Sequence, residues 1–234
     1  MPRVINPEEY QQKRGEILAA AQKLIYTKGY EQMSVQDILS ELGISKGAFY
    51  HYFDSKQALI EAMVKQMMVD MEIIVRPITE NPHISSLEKF EQFFGKIAQW
   101  KSARKAFLTQ LFSVWYTDDN AIVRQKITLA GVNWVSPFLA QIIRQGKFEG
   151  KFDVEDIEET AKVVVAMMMN MGESIAECFL KLQPGDDQLR RQEHLLKIEK
   201  SIYAYQNAIE RVLGAPIGSI SLFDPNLLRE WFLE

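Results

Sequence analysis

One cysteine in 234 residues, Cys178, leaves no internal disulfide to form, which excludes the disulfide-framed secreted domains. The three histidines, His51, His83 and His194, lie too far apart in sequence for metal-ligand spacing, so zinc-finger classes drop out and no cofactor is implied. Long apolar runs are missing too. The longest spans Val163 to Met169, well short of the roughly 20 residues needed to cross a bilayer. With no basic-then-apolar leader at its start, the chain is expected to be soluble and cytoplasmic, without a membrane partner. Twelve Gly, eight Pro and no alternating β-branched runs bounded by turn dipeptides give sheets little support, so the expected class is all-α. Serine elbows, a phosphate-cradling glycine loop and HExxH are absent, and Cys178 has no histidine close in sequence; an enzyme is not expected.

What is present is ordinary globular usage, 47% apolar and 25% charged. The net charge of −4 is unevenly held. Seven Lys/Arg and seven Asp/Glu balance within residues 1–56, so the acidity belongs to the remainder. A net-acidic chain is a poor non-specific coat for nucleic acid, because sequence-independent affinity comes from phosphate neutralisation. Any nucleic-acid site must therefore be local.

Helical periodicity runs from Pro7 to Lys28, with Gly29 as its stop. Ser34 then caps a short helix carrying Val35, Ile38, Leu39 and Leu42 that ends at Gly43, and Ser45 caps another with Phe49, Tyr52 and Phe53. A longer helix follows Ser55 and is expected to end at Pro77, with Arg76 pushed out of the helical region. Beyond a connection to Ser86, helices are expected at about 87–105, 106–117 and 119–145, the last bent near Pro137, and Gly146 to Asp153 reads as a loop. Asp153 is expected to cap a helix reaching Leu182, Pro184-Gly185 to turn, Asp186 to open a helix ending at Leu213, and Asp224-Pro225 to start a terminal one.

Two short helices joined at Gly43 form the helix-turn-helix pattern, in which the second helix enters the major groove. Its exposed chemistry fits. Lys46, Tyr50, His51 and Tyr52 all carry hydrogen-bonding groups, while burial needs only Phe49 and Phe53. The stretch SVQDILSELGISKGAFYHYFDSK, Ser34 to Lys56, resembles the DNA-binding signature of the tetracycline-repressor-like (TetR) regulators, with Gly43, Ile44, Ser45, Gly47, Tyr50, Phe53 and Lys56 in register. The likeness covers roughly residues 10 to 70. It implies an N-terminal three-helix DNA-binding domain at 1–55 and a larger helical ligand-binding and dimerisation domain at 56–234, linked by the helix 55–76.

Carried over by position, the resemblance implies that Gln36, Lys46, Ala48 and His51 face bases and that Tyr50, Tyr52 and Lys56 grip phosphates, with Ser45 capping and Gly47 allowing close approach. Side-chain chemistry agrees, since Lys suits guanine, Gln suits adenine, and a tyrosine hydroxyl holds phosphate without reading sequence. Core aromatics and solvated charges are the plainer reading of the same residues.

The remainder offers two surfaces. Leu195, Ile198, Ile202, Tyr205 and Ile209 follow the a/d spacing of a helix seam, and Ile175 and Phe179 lie on the wide apolar arc of the helix before it. An arc that wide calls for two partners, met by a four-helix interface between two copies or by burial within one chain. Met67, Met71, Phe94, Trp100, Phe112, Trp115, Trp134, Phe138 and Met168 are candidates for an adaptable apolar pocket, or plain core. The expected function is a homodimeric regulator, a repressor released from double-stranded operator DNA by a small effector. The alternative is a helical ligand-binding or adaptor protein whose helix-turn-helix no longer binds DNA; salt-dependent duplex binding separates the two.

Overall fold

Helix ends near the N-terminus are written in side chains that close orphan hydrogen bonds. In the computed structural model, which describes residues 6–117, 121–182 and 185–233, Asn6 caps α1 (Pro7–Lys28) by accepting from the Glu8 amide. Ser34 and Asp37 form a reciprocal capping box on α2 (Val35–Leu42). Ser45 caps α3 (Lys46–Tyr52) through the Ala48 amide. There follow α4 (Lys56–Thr79), α5 (Ser86–Ser102), α6 (Lys105–Trp115), α7 (Ala121–Phe148), α8 (Ile157–Leu180), α9 (Gln188–Val212) and α10 (Pro225–Leu233). No strand occurs among the described residues, so the fold is all-α.

Several expected boundaries move, each for a local reason. Helix α4 continues through Pro77 to Thr79 and Arg76 stays helical. In a last turn the proline forfeits only its own amide bond, and the Arg76 carbonyl still accepts from the Glu80 amide and the Thr79 hydroxyl. Helix α7 likewise runs through Pro137 and past Gly146, where a loop was expected. Gly146 is needed inside the helix because the Phe152 ring lies on it, 2.1 Å from where a Cβ would sit. Asp156, not Asp153, caps α8, which ends at Leu180; Asp153 instead donates its amide to the Leu213 carbonyl. Asp187, not Asp186, caps α9, and Asp186 pairs with Arg190. The start expected at 119 and the turn at Pro184 lie outside the described residues.

Contacts divide the chain into two units. The first takes residues 1–68 and 106–123, and its core holds Ile17, Ile25, Ile38, Phe49, Leu59, Phe107 and Leu108. The second takes residues 69–105 and 124–234, centred on Phe90, Phe93, Leu139, Ile142, Val164, Ile209 and Phe232. In that second unit Glu210 is fully buried, its carboxylate accepting from the Gly218 and Ile220 amides. A buried carboxylate is tolerated only when so partnered. Helix α10 is held at its C-terminal end: the Trp231 indole donates to Ser102, and Lys105 and Arg191 donate to the Glu230 and Phe232 carbonyls.

Helix α8 is long and apolar enough to cross a membrane by length and composition, with mean hydropathy 1.4. Its Ala161, Val164, Val165, Met171 and Cys178 are buried in the second unit's core.

Candidate nucleic-acid interface

Helix α3 is held by its apolar edge. Phe49 and Phe53 are buried, and Arg14 of α1 lays its guanidinium 4.9 Å over the Phe53 ring. Loss of Phe49 would cost about 3–5 kcal/mol by cavity formation and lost transfer energy. Gly43 turns the chain between the two short helices in the left-handed region, φ 62°, and the Ile44 amide returns to the Leu39 carbonyl. Ion pairs Lys23–Glu41 and Lys28–Asp37, both 2.6 Å, tie α1 to α2. The Lys28 ammonium, with the amide and hydroxyl of Ser34, holds the Asp37 carboxyl well below the usual carboxylate range.

Around that buried edge the structure exposes Ser45, Lys46, Gly47, Tyr50 and His51, with Ala48 half-buried between them. Gln36 is exposed at the second position of α2. The ammonium of Lys46 stands 5.9 Å from the Tyr50 ring. Two other residues assigned to phosphate are engaged within the protein. Tyr52 is half-buried with its ring 4.8 Å from that of Tyr10, which also meets His51 edge-on. Lys56 is half-buried, its ammonium 4.0 Å above the Tyr30 ring and 3.4 Å from the Glu31 carbonyl oxygen. Tyr10 and Arg14 are not singled out from the sequence, although both lie on the α1 edge that continues to Ile17 and Ala21 at helical spacing.

Of the expected pocket residues, Phe94, Trp100 and Phe138 are buried, while Met71, Trp134 and Met168 are half-buried in the same unit. Met67, Phe112 and Trp115 are half-buried members of the first unit. A cavity of about 580 Å³ lies elsewhere in the second unit, between α5 and residues 221–227, where Glu88, Glu91, Gln92, Lys96 and Asp224 share the lining with Phe223, Pro225 and Leu227.

Leu195, Ile198, Ile202 and Ile209 of the seam turn into the chain's own core; Phe179, against Trp231 and Phe232, is half-buried, as are Ile175 and Tyr205. The apolar residues left exposed on α8 and α9 are different ones: Val163, Leu189, Leu196, Tyr203 and Val212. Cys178 does have a histidine partner, unseen in sequence because it comes from α9: His194 Nδ1 is 3.2 Å from its sulfur. Burial pushes the thiol up, outweighing the nearby Lys197 and Lys181, so it stays protonated at neutral pH.

A capped helix with a buried aromatic edge and an exposed polar edge, braced by a second short helix across a glycine turn, defines a helix-turn-helix protein. Residues 17–63 match the family model described as bacterial regulatory proteins, tetR family. The uncharacterized HTH-type transcriptional regulator YvaF of Bacillus subtilis is 34% identical over 124 residues, half of this chain and 64% of that relative; the chain thus spans under two thirds of its length. The HTH-type transcriptional regulator TtgR of Pseudomonas putida is 24% identical over 155 residues, 63% of this chain and 74% of that protein. Among solved structures, a TetR transcription regulator from Haloarcula marismortui superposes with TM-score 0.60 at 16% identity, covering 85% of this chain and 98% of that one, a likeness of fold. Residues 17–63 thus carry the helix-turn-helix signature of the TetR-family regulators, and the chain is similar to members of that family.

Proposed function

We propose that the chain acts in the cytoplasm as a homodimeric repressor, reading double-stranded operator DNA through α3 and leaving it when a small, largely apolar effector binds. On this reading residues 1–55 carry the reader and 56–234 the effector and dimer surfaces. One observation carries it: Phe49 and Phe53 bury one edge of α3 while Lys46, Gly47, Tyr50 and His51 stand exposed around it. Lys46 and His51, with Gln36 on α2 and the Ala48 methyl, are the base-reading set; Tyr50 is the phosphate grip.

Two copies are needed to reach successive major grooves. The exposed apolar residues Leu189, Leu196 and Tyr203 recur every seventh residue along α9, and Val163 is exposed on α8. Since the Leu195–Ile209 seam is already packed, the partner meets this adjacent stripe. The effector is placed among the half-buried aromatics and methionines of the larger part, Trp134 and Met168 foremost. Linkage requires that it weaken operator binding by the factor by which operator weakens its own.

Selection of bound duplexes from a random pool tests the reading. A near-palindrome with half-site centres one helical turn or a multiple apart is expected. No enrichment above background, or binding insensitive to salt, would favour a helical adaptor instead.

A further inference from the structure

Lys56 occupies an unfavourable place for a cation. It is the first residue of α4, where the unpaired amides of a helix N-terminus carry partial positive charge. Two groups of the α1–α2 turn offset this: the Tyr30 ring, with the ammonium 4.0 Å from its centroid, and the Glu31 carbonyl oxygen at 3.4 Å. The Tyr30 hydroxyl, raised to about 12 chiefly by burial and further by Glu31, stays neutral, so the ring remains a plain π face. Burial lowers the Lys56 ammonium below its ordinary value, and Glu31 opposes that shift.

The position of this contact matters more than its strength. Helix α3 ends at Tyr52, Phe53 is its C-cap, and only Asp54 and Ser55 separate that cap from Lys56. Ser55 is itself engaged, accepting from the Ala58 amide in the first turn of α4. The recognition helix is therefore held at its C-terminal end by Phe53 in the core and by an ammonium closed onto a turn 25 residues earlier in the chain.

Building on the DNA-reading function proposed above, we propose that Lys56 is a positioning residue that sets the angle of α3 through Tyr30 and Glu31, and is not one of the phosphate contacts. A phosphate-gripping lysine releases a counterion, and its removal lowers the salt slope of binding by about one per contact. A latch leaves that slope alone and shares its effect with its platform.

Binding to the selected operator duplex is measured across a salt series for the wild type, Lys56→Met, Tyr30→Leu, the double variant and Lys56→Arg, with thermal midpoints recorded to exclude unfolding. Lys56→Met and Tyr30→Leu should each weaken binding roughly three- to tenfold. The double variant should be no worse than the weaker single, the salt slope should match the wild type, and Lys56→Arg should recover most of the affinity. Amine acetylation read by mass spectrometry adds a readout that needs no DNA: Lys56 should label more slowly than Lys46, and Tyr30→Leu should speed it. A slope reduced by about one per protomer in Lys56→Met, with Tyr30→Leu binding as the wild type does, overturns the proposal. Lys56 labelling as fast as Lys46 overturns it independently. A wild type that binds no duplex shows no slope at all and removes the DNA-reading function itself, a failure distinct from either.

Discussion

The reading head and the larger helical unit follow the same packing rules but disclose themselves differently. In the head, each short helix is bounded by a residue whose side chain or backbone closes a specific hydrogen bond: Ser34 with Asp37, Gly43, Ser45. In the larger unit, long helices absorb Pro137 and Gly146 without stopping, and apolar stripes are wide enough to face inward or outward. Local chemistry sets boundaries where helices are short, because each cap is a large share of a two-turn helix's stability. Long helices draw their stability from burial, which a single breaker does not outweigh.

The largest expected effect separates the two apolar faces of α9. Replacing Ile202 and Ile209 by Glu places carboxylates where side chains are nearly or fully buried in the chain's own core, a cost of several kcal/mol each, and should unfold the larger unit in thermal melts. Replacing Leu196 and Tyr203 by Glu instead touches exposed positions and should leave the fold intact while converting a dimer to a monomer in sedimentation. A dimer unchanged by the second pair would move the interface off this stripe.

A smaller contrast lies in two glycines with the same φ of 62°. At Gly43 a Cβ would meet nothing within 4 Å, so Gly43→Ala should cost only the left-handed strain, about 1 kcal/mol. At Gly214 the Cβ would fall 2.7 Å from the Asp153 carbonyl oxygen, so Gly214→Ala should cost clearly more. Equal melting shifts for the two variants would show that the Asp153 backbone yields.

The smallest effect is titration of the head. The Asp37 carboxyl is depressed in the folded state by Lys28 and Ser34, so its contribution is fully present above the unfolded value of about 3.9 and fades as pH falls through the folded value. Acid unfolding followed at the head should therefore become shallower below about pH 4 in Asp37→Asn. An unchanged acid limb would leave that ion pair without a role in stability.

Most of the head was legible in sequence because its signals are chemical and short in range. Gly29, Ser34, Gly43 and Ser45 each mark a boundary the structure keeps, and Phe49 and Phe53 identify the buried edge of α3. What escaped were contacts across the chain: Tyr10 against Tyr52, Lys56 over Tyr30, and Cys178 beside His194. No periodicity records which partner a half-buried polar group finds. In the larger unit the seam spacing of α9 was visible, but spacing states that a face is apolar and not what covers it.

On the proposed function, α3 reads bases through Lys46 while Tyr50 only grips phosphate. Motif selection with the wild type, Lys46→Ala and Tyr50→Phe tests it most directly. Lys46→Ala should change preference at one position in each half-site by about 1–3 kcal/mol, whereas Tyr50→Phe should weaken all duplexes alike and keep the motif. An identical motif for Lys46→Ala and the wild type, or the same altered motif for both variants, would take base reading away from Lys46.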